Sequence, residues 1–145
     1  MSLKSALAGA AAILAAAASP AIASPIVSSS FDTGTDGWTA DGDVASFSHQ
    51  AAGGNPGGYI AAVDAAQGPI IYFVAPAAYL GDLSAALGGL LSFDLNVTSG
   101  AYTTSREDVT ITGGGATISW DIANPPVNTW TSYSTRIIHK GCRAA

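Results

Sequence analysis

A single cysteine, Cys142, stands in the 145-residue chain, so no disulfide can close within it and any bridge would join two molecules. Basic residues are scarce too. Five Lys and Arg are present in all, and residues 24–135 hold one of them, Arg106, beside all ten acids, a local balance of −9. So acidic a body argues against nucleic acid and anionic lipid as partners, because phosphate groups are bound by clustered Lys and Arg. No apolar run reaches the roughly 20 residues a membrane-spanning helix needs. Beyond residue 23, no stretch of helical length spaces its apolar residues by three and four. The nucleophile elbow G-x-S-x-G is missing, as is any His and Cys cluster with zinc-ligand spacing. With 48% hydrophobic residues the chain is too apolar to be disordered, and its length limits it to one domain.

What is present begins with an export pattern. Lys4 is the only charge in the first 31 residues, the apolar run Ala6 to Ala18 follows, and Ala21-Ile22-Ala23 puts small residues at both positions a signal peptidase reads. Residues 1–23 are therefore expected to be a signal peptide cut before Ser24, and the mature protein to be secreted, periplasmic or held at the cell surface. Residues 24–135 are expected to form the domain. Arg136 to Ala145 then carries three bases and His139 but no acid. So abrupt a shift reads as an atypical basic tail of the kind a frame change or truncation leaves, with a polybasic arm as the alternative.

The body reads as all-β. Leu91, Phe93, Leu95 and Val97 alternate with Ser92, Asp94, Asn96 and Thr98, so one face of this strand belongs to a core and the other to water. Residues 108–112 and 116–122 repeat the pattern across Gly113-Gly114-Gly115, which suits a tight hairpin. Weaker strands are expected over 26–31, 43–49, 59–64 and 129–137, with a continuously apolar one over 69–74. Eight short strands imply an antiparallel β-sandwich or jelly roll. Between them, residues 76–84 suit one helical turn, with Pro76 near its start and Gly81 near its stop.

The order of four motifs adds a family resemblance: Gly54-Asn55-Pro56-Gly57-Gly58-Tyr59, Tyr72-Phe73-Val74-Ala75-Pro76, Tyr79-Leu80-Gly81-Asp82-Leu83-Ser84 and Gly89-Leu90-Leu91-Ser92-Phe93-Asp94-Leu95. Together with Phe31-Asp32 and Gly37-Trp38 upstream, and Asp108-Val109 with the triple glycine downstream, they resemble the laminin B domain, also called laminin IV type A, over about Phe31 to Tyr133. The resemblance implies a sandwich shaped like jelly-roll, galactose-binding-like modules, used outside the cell in adhesion-type contacts and without known catalysis. It also implies further closing strands after the Trp130 region, and the atypical tail leads to the expectation that these last strands are missing here.

Candidate sites follow from residue chemistry. Asp32, Asp36, Asp41 and Asp43 crowd one loop-rich stretch, and such a density of hard oxygens could hold a structural calcium ion; the alternative is acidic turn residues that bond to nearby backbone. No other cofactor is expected. Trp38 reads as a packing anchor and Trp120, in parity with Ile118 and Ile122, as core. Trp130 shares parity with Ser132, Ser134 and Arg136, which makes it, with Tyr102, the candidate aromatic platform for a glycan; an edge aromatic covering incomplete packing is the alternative. Asn96-Val97-Thr98 is an N-glycosylation sequon with Asn96 on the wet face. His49 reads as structural, and no residue is assigned a catalytic role. The expected function is a secreted, non-enzymatic interaction module that meets an extracellular protein or glycan. The alternatives are a carbohydrate-binding module, calcium-assisted or not, and a glycoside-processing enzyme built on two carboxylates.

Overall fold

The computed structural model describes residues 25–68, 70–98, 107–122 and 128–138. The expected signal peptide, Tyr102, Arg106 and the tail from His139 onward, Cys142 included, lie outside them.

Within the described residues the chain is antiparallel β, as the alternation implies. Eight strands run in the order β1 Thr39–Gly42, β2 Val44–Gln50, β3 Tyr59–Asp64, β4 Ile71–Val74, β5 Leu90–Leu95, β6 Val109–Gly113, β7 Ala116–Trp120 and β8 Thr131–Arg136. They pair two by two: β1 with β4, β2 with β3, β5 with β8 and β6 with β7. Two of these ribbons are local hairpins. The other two join distant parts of the chain, and the β5–β8 register sets Phe93 opposite Tyr133 and Asp94 opposite Ser132.

The β6–β7 hairpin turns as its glycines require. Gly113 faces Ala116, and the two residues between them, Gly114 and Gly115, take φ of +58° and +76°, the left-handed pair of a type I′ turn. At the open end, the Asp108 N–H donates to the Trp120 carbonyl and the Ile122 N–H donates to the Asp108 carboxylate, so one acid locks both chains.

The expected strand over 26–31 does not form. Its backbone donors go to a side chain instead: the Asp36 carboxylate accepts from the Ser30 and Phe31 N–H groups, each at 3.0 Å, and Phe31 turns to φ +56°. Trp38 anchors this segment. Its Nε1 donates to Ser29 Oγ at 2.9 Å, Tyr79 OH donates to the same oxygen at 3.1 Å, and the Trp38 and Tyr79 rings meet edge to face at 5.1 Å. The strand that sequence reading passed over, β1, has the sequence TADG, with little β propensity of its own. Pairing with β4 supplies its order.

The helical turn expected over 76–84 is two separate 3₁₀ turns, Ala77–Tyr79 after Pro76 and Ser84–Ala86, the second entered where Asp82 accepts from the Ser84 N–H at 3.0 Å. Strand β5 stops at Leu95 rather than Thr98. Beyond that stop the alternation lapses, so Asn96 is not on the wet face: it is half-buried, and its Oδ1 is enclosed without a hydrogen-bond partner.

Aromatic packing joins the ribbons. Phe93 of β5, Trp120 of β7 and Tyr133 of β8 form a cluster with ring centroids 5.6–6.3 Å apart, which carries β6–β7 onto the inner face of β5–β8. Trp120 is thus on the inner side, as its parity implies. Phe47 meets Phe73 at 6.4 Å and links β2 to β4. Full enclosure is rare, however. Ile122 is the one buried apolar residue among those described, while Val63, Tyr72, Leu90 and Ile111 are exposed.

Candidate functional site

The alternation of β5 and β8 builds an exposed outer face. Leu90, Ser92 and Asp94 on β5 stand opposite Arg136, Ser134 and Ser132 on β8, and all six are exposed, while Leu91, Phe93, Tyr133 and Thr135 point the other way. Alternate residues on a strand lie roughly 7 Å apart and neighbouring strands about 4.8 Å. The face therefore offers hydroxyl, carboxylate and guanidinium groups on a short rectangular grid.

The loop between β2 and β3 closes one end of this grid. Asp94 Oδ1 accepts from Ser132 Oγ and from Asn55 Nδ2, the latter at 3.4 Å. Beside it, Trp130 Nε1 donates to the Gly53 carbonyl at 2.7 Å, and the Trp130 ring stands edge to face against Tyr59, centroids 5.2 Å apart. Trp130 is half-buried. At the opposite end Arg136 reaches back to donate to the Gly88 carbonyl at 2.9 Å. The arrangement can hold an extended polar ligand by hydrogen bonds and by one aromatic edge.

Sequence parity placed Trp130 beside Ser132, Ser134 and Arg136 but could not supply its neighbours. Asn55 and Tyr59 come from about 75 residues earlier in the chain, and only the β5–β8 pairing brings Asp94 to Ser132. Tyr102, the second candidate ring, lies outside the described residues.

The four acids proposed for calcium are each placed individually. Asp36 holds the Ser30 and Phe31 N–H groups, and Asp41 Oδ1 accepts from the Gly42 N–H at 2.7 Å. Asp43 Oδ2 accepts from the Gln67 and Gly68 N–H groups at 2.7 and 2.5 Å, tying the loop after β3 to the start of β2. Asp32 lies beside Gly57, where a Cβ would stand 2.9 Å from its Oδ1. Among the described residues no three acidic, His or Cys side chains gather into a metal-holding group; Asp36 and Asp41 bond to backbone within six residues, and Asp43 bonds to backbone across the β3–β4 loop. The Gly68 N–H, with smaller help from Gln67 and the Asp64 side chain, holds the Asp43 carboxyl below its ordinary value of 3.8 against an opposing desolvation effect. His49 donates from Nε2 to the Phe31 carbonyl at 2.6 Å, a structural bond that pins the amino-terminal segment to β2.

Residues 72–143 match Laminin B (Domain IV). The laminin B match starts in β4, runs through both 3₁₀ turns and all of β5 to β8, and so contains the whole outer face except its Asn55, Tyr59 and Gly53 rim. Upstream motifs that carried the resemblance, from Phe31 to Tyr59, lie outside the matched stretch. No curated protein and no solved structure matches the chain significantly. No helix among the described residues is long and apolar enough to cross a membrane.

Proposed function

We propose that this chain is a non-enzymatic extracellular interaction module of the laminin B type, exported by its amino-terminal segment, and that the outer face of β5–β8 is its contact surface. The observation that carries the reading is the coincidence of the laminin B match with an exposed, largely polar grid whose groups come from alternate positions of two paired strands. Asp94 on that grid is already engaged by two neutral donors, Ser132 and Asn55. A carboxylate so held orients a partner's hydroxyl or amide and is poorly arranged as a free acid or base.

The second reading, a carbohydrate-binding module, is favoured by the end of the face where Trp130 and Tyr59 stand beside Asn55 and Asp94. Sugar C–H faces pack on aromatic rings while amide and carboxylate groups fix the hydroxyls.

One experiment addresses both. The secreted full chain is titrated over immobilised extracellular matrix proteins and over a glycan array, with and without chelator, alongside Ser134→Arg and Trp130→Ala. Saturable binding to a protein, weakened about tenfold by Ser134→Arg or by about 1.4 kcal/mol, with circular dichroism unchanged, supports the first reading. Glycan binding lost in Trp130→Ala supports the second, and its loss in chelator with recovery in calcium identifies the calcium-assisted form. Binding indifferent to Ser134→Arg and Trp130→Ala alike would remove the face from consideration. Turnover of a polysaccharide, abolished by one Asp→Asn change, would make the protein an enzyme. Amino-terminal sequencing of the exported protein should begin at Ser24.

A further inference from the structure

Two Asp-Gly dipeptides stand five residues apart, Asp36-Gly37 and Asp41-Gly42. In such a pair the glycine nitrogen is sterically open to the preceding carboxyl carbon, and closure gives a five-membered ring. The two have equal intrinsic chemistry, yet the fold treats them oppositely.

Asp36 turns its carboxylate away from Gly37. It is committed to the Ser30 and Phe31 N–H groups, both at 3.0 Å, and Gly37 itself packs where an added Cβ would stand 3.1 Å from Pro76. At Asp41 the carboxylate is instead folded onto its own following residue: Oδ1 accepts from the Gly42 N–H at 2.7 Å. The Asp43 N–H donates to the Ile70 carbonyl one residue beyond the end of the β1–β4 register, and the Gly42 N–H itself is the donor to Asp41 Oδ1. Asp41 and Gly42 are both exposed, at the end of a four-residue strand. Nitrogen and carboxylate are thus held in contact, 2.7 Å from N to Oδ1, and proximity of the reacting groups favours an intramolecular reaction.

We propose that Asp41-Gly42 is a site of spontaneous isoaspartate formation, and that the fold directs this modification to Asp41 while shielding Asp36. The Gly42 nitrogen bonds to Asp41 Cγ; its proton and the carboxyl hydroxyl leave as one water, giving a succinimide. A second water opens the ring. Cleavage at the Cγ carbonyl restores aspartate, and cleavage at the former backbone carbonyl leaves the chain running through Cγ. No oxidant or other reagent is consumed, and the net change is an isomerisation. The product carries one extra carbon in the backbone between Asp41 and Gly42, so the pairs Asp41–Tyr72 and Gly42–Ile71 cannot both be kept. Asp43, one residue on, is drawn from the Gln67 and Gly68 N–H groups it holds.

The test uses the unaltered full chain, aged at neutral pH and 37 °C in ¹⁸O-water, once folded and once in guanidinium. Peptide fragmentation by electron transfer then locates isoaspartate and the incorporated ¹⁸O. In the folded protein both should accumulate at residue 41 several-fold faster than at residue 36, and in denaturant the two rates should converge. Equal rates in the folded protein, a faster rate at residue 36, or no isoaspartate at residue 41 would each overturn the proposal.

Discussion

Asp43 shows how far a single side chain reaches in this protein. Its carboxylate takes two consecutive backbone N–H groups, those of Gln67 and Gly68, and so fastens the loop between β3 and β4 to the strand that begins beside it. The Gly68 bond is the main cause that holds the Asp43 carboxyl below 3.8, and a folded-state value below the unfolded one means that the charged form is the stabilising one. The contribution is complete above pH 3.8 and is lost as the pH falls through the lower folded value. Asp43→Asn should therefore lower the denaturant midpoint at neutral pH and flatten the acid limb, so that the two proteins converge in acid. A midpoint that falls equally in both down to about pH 2 would show the bond to be unimportant. Asp82, held low chiefly by the Ser84 N–H, acts in the same direction at the second 3₁₀ turn.

At the scale of elements, the β6–β7 hairpin depends on its turn. Gly114 and Gly115 both have positive φ, a region that costs other residues roughly 1–2 kcal/mol each. Gly114→Ala with Gly115→Ala should lower stability by about 2–4 kcal/mol and speed hydrogen exchange across β6 and β7. Asn-Gly in the same two positions should restore most of the loss. This hairpin was legible in the sequence because its pattern, turn and partner all lie within about fifteen residues. So were the inner and outer sides of β5, where alternation is strict, and the bounds of β3, which opens just after the Gly57-Gly58 turn. The segment 26–31 misled because its apolar start reads as a strand, whereas Asp36 and Trp38 claim its polar groups from outside the window. β1 was invisible for the converse reason: TADG has no strand character without β4 beside it. The candidate face divides in the same way, since the parity of Ser132, Ser134 and Trp130 could be read locally, but their meeting with Asp94, Asn55 and Tyr59 depends on a pairing between β5 and β8 that no local pattern encodes.

At the scale of the whole molecule, the scarcity of enclosed apolar side chains among the described residues is the governing fact. Ile122 is 5% exposed, whereas Leu90 is 67% and Leu80 is 66% exposed, and the strands meet in ribbons of two. Two-stranded ribbons are marginal by themselves, so stability rests on the aromatic contacts between them. The full chain should melt broadly and bind a hydrophobic dye below its midpoint. A sharp melt of the monomer, with calorimetric and van't Hoff enthalpies equal, would refute this. The contact face in turn requires that β5 and β8 pair in one register. The Ile137 N–H bond to the Gly89 carbonyl makes 89 and 137 a hydrogen-bonded pair, which leaves Ser92 and Ser134 as a directly opposed non-hydrogen-bonded pair, with separation suited to a disulfide. The decisive measurement is oxidation of Ser92→Cys with Ser134→Cys in a Cys142→Ser background. The account predicts a rapid intramolecular cross-link that leaves the circular dichroism spectrum unchanged; failure of that pair to close, or readier closure of Ser92→Cys with a cysteine at position 133 or 135, would contradict the register and with it the face.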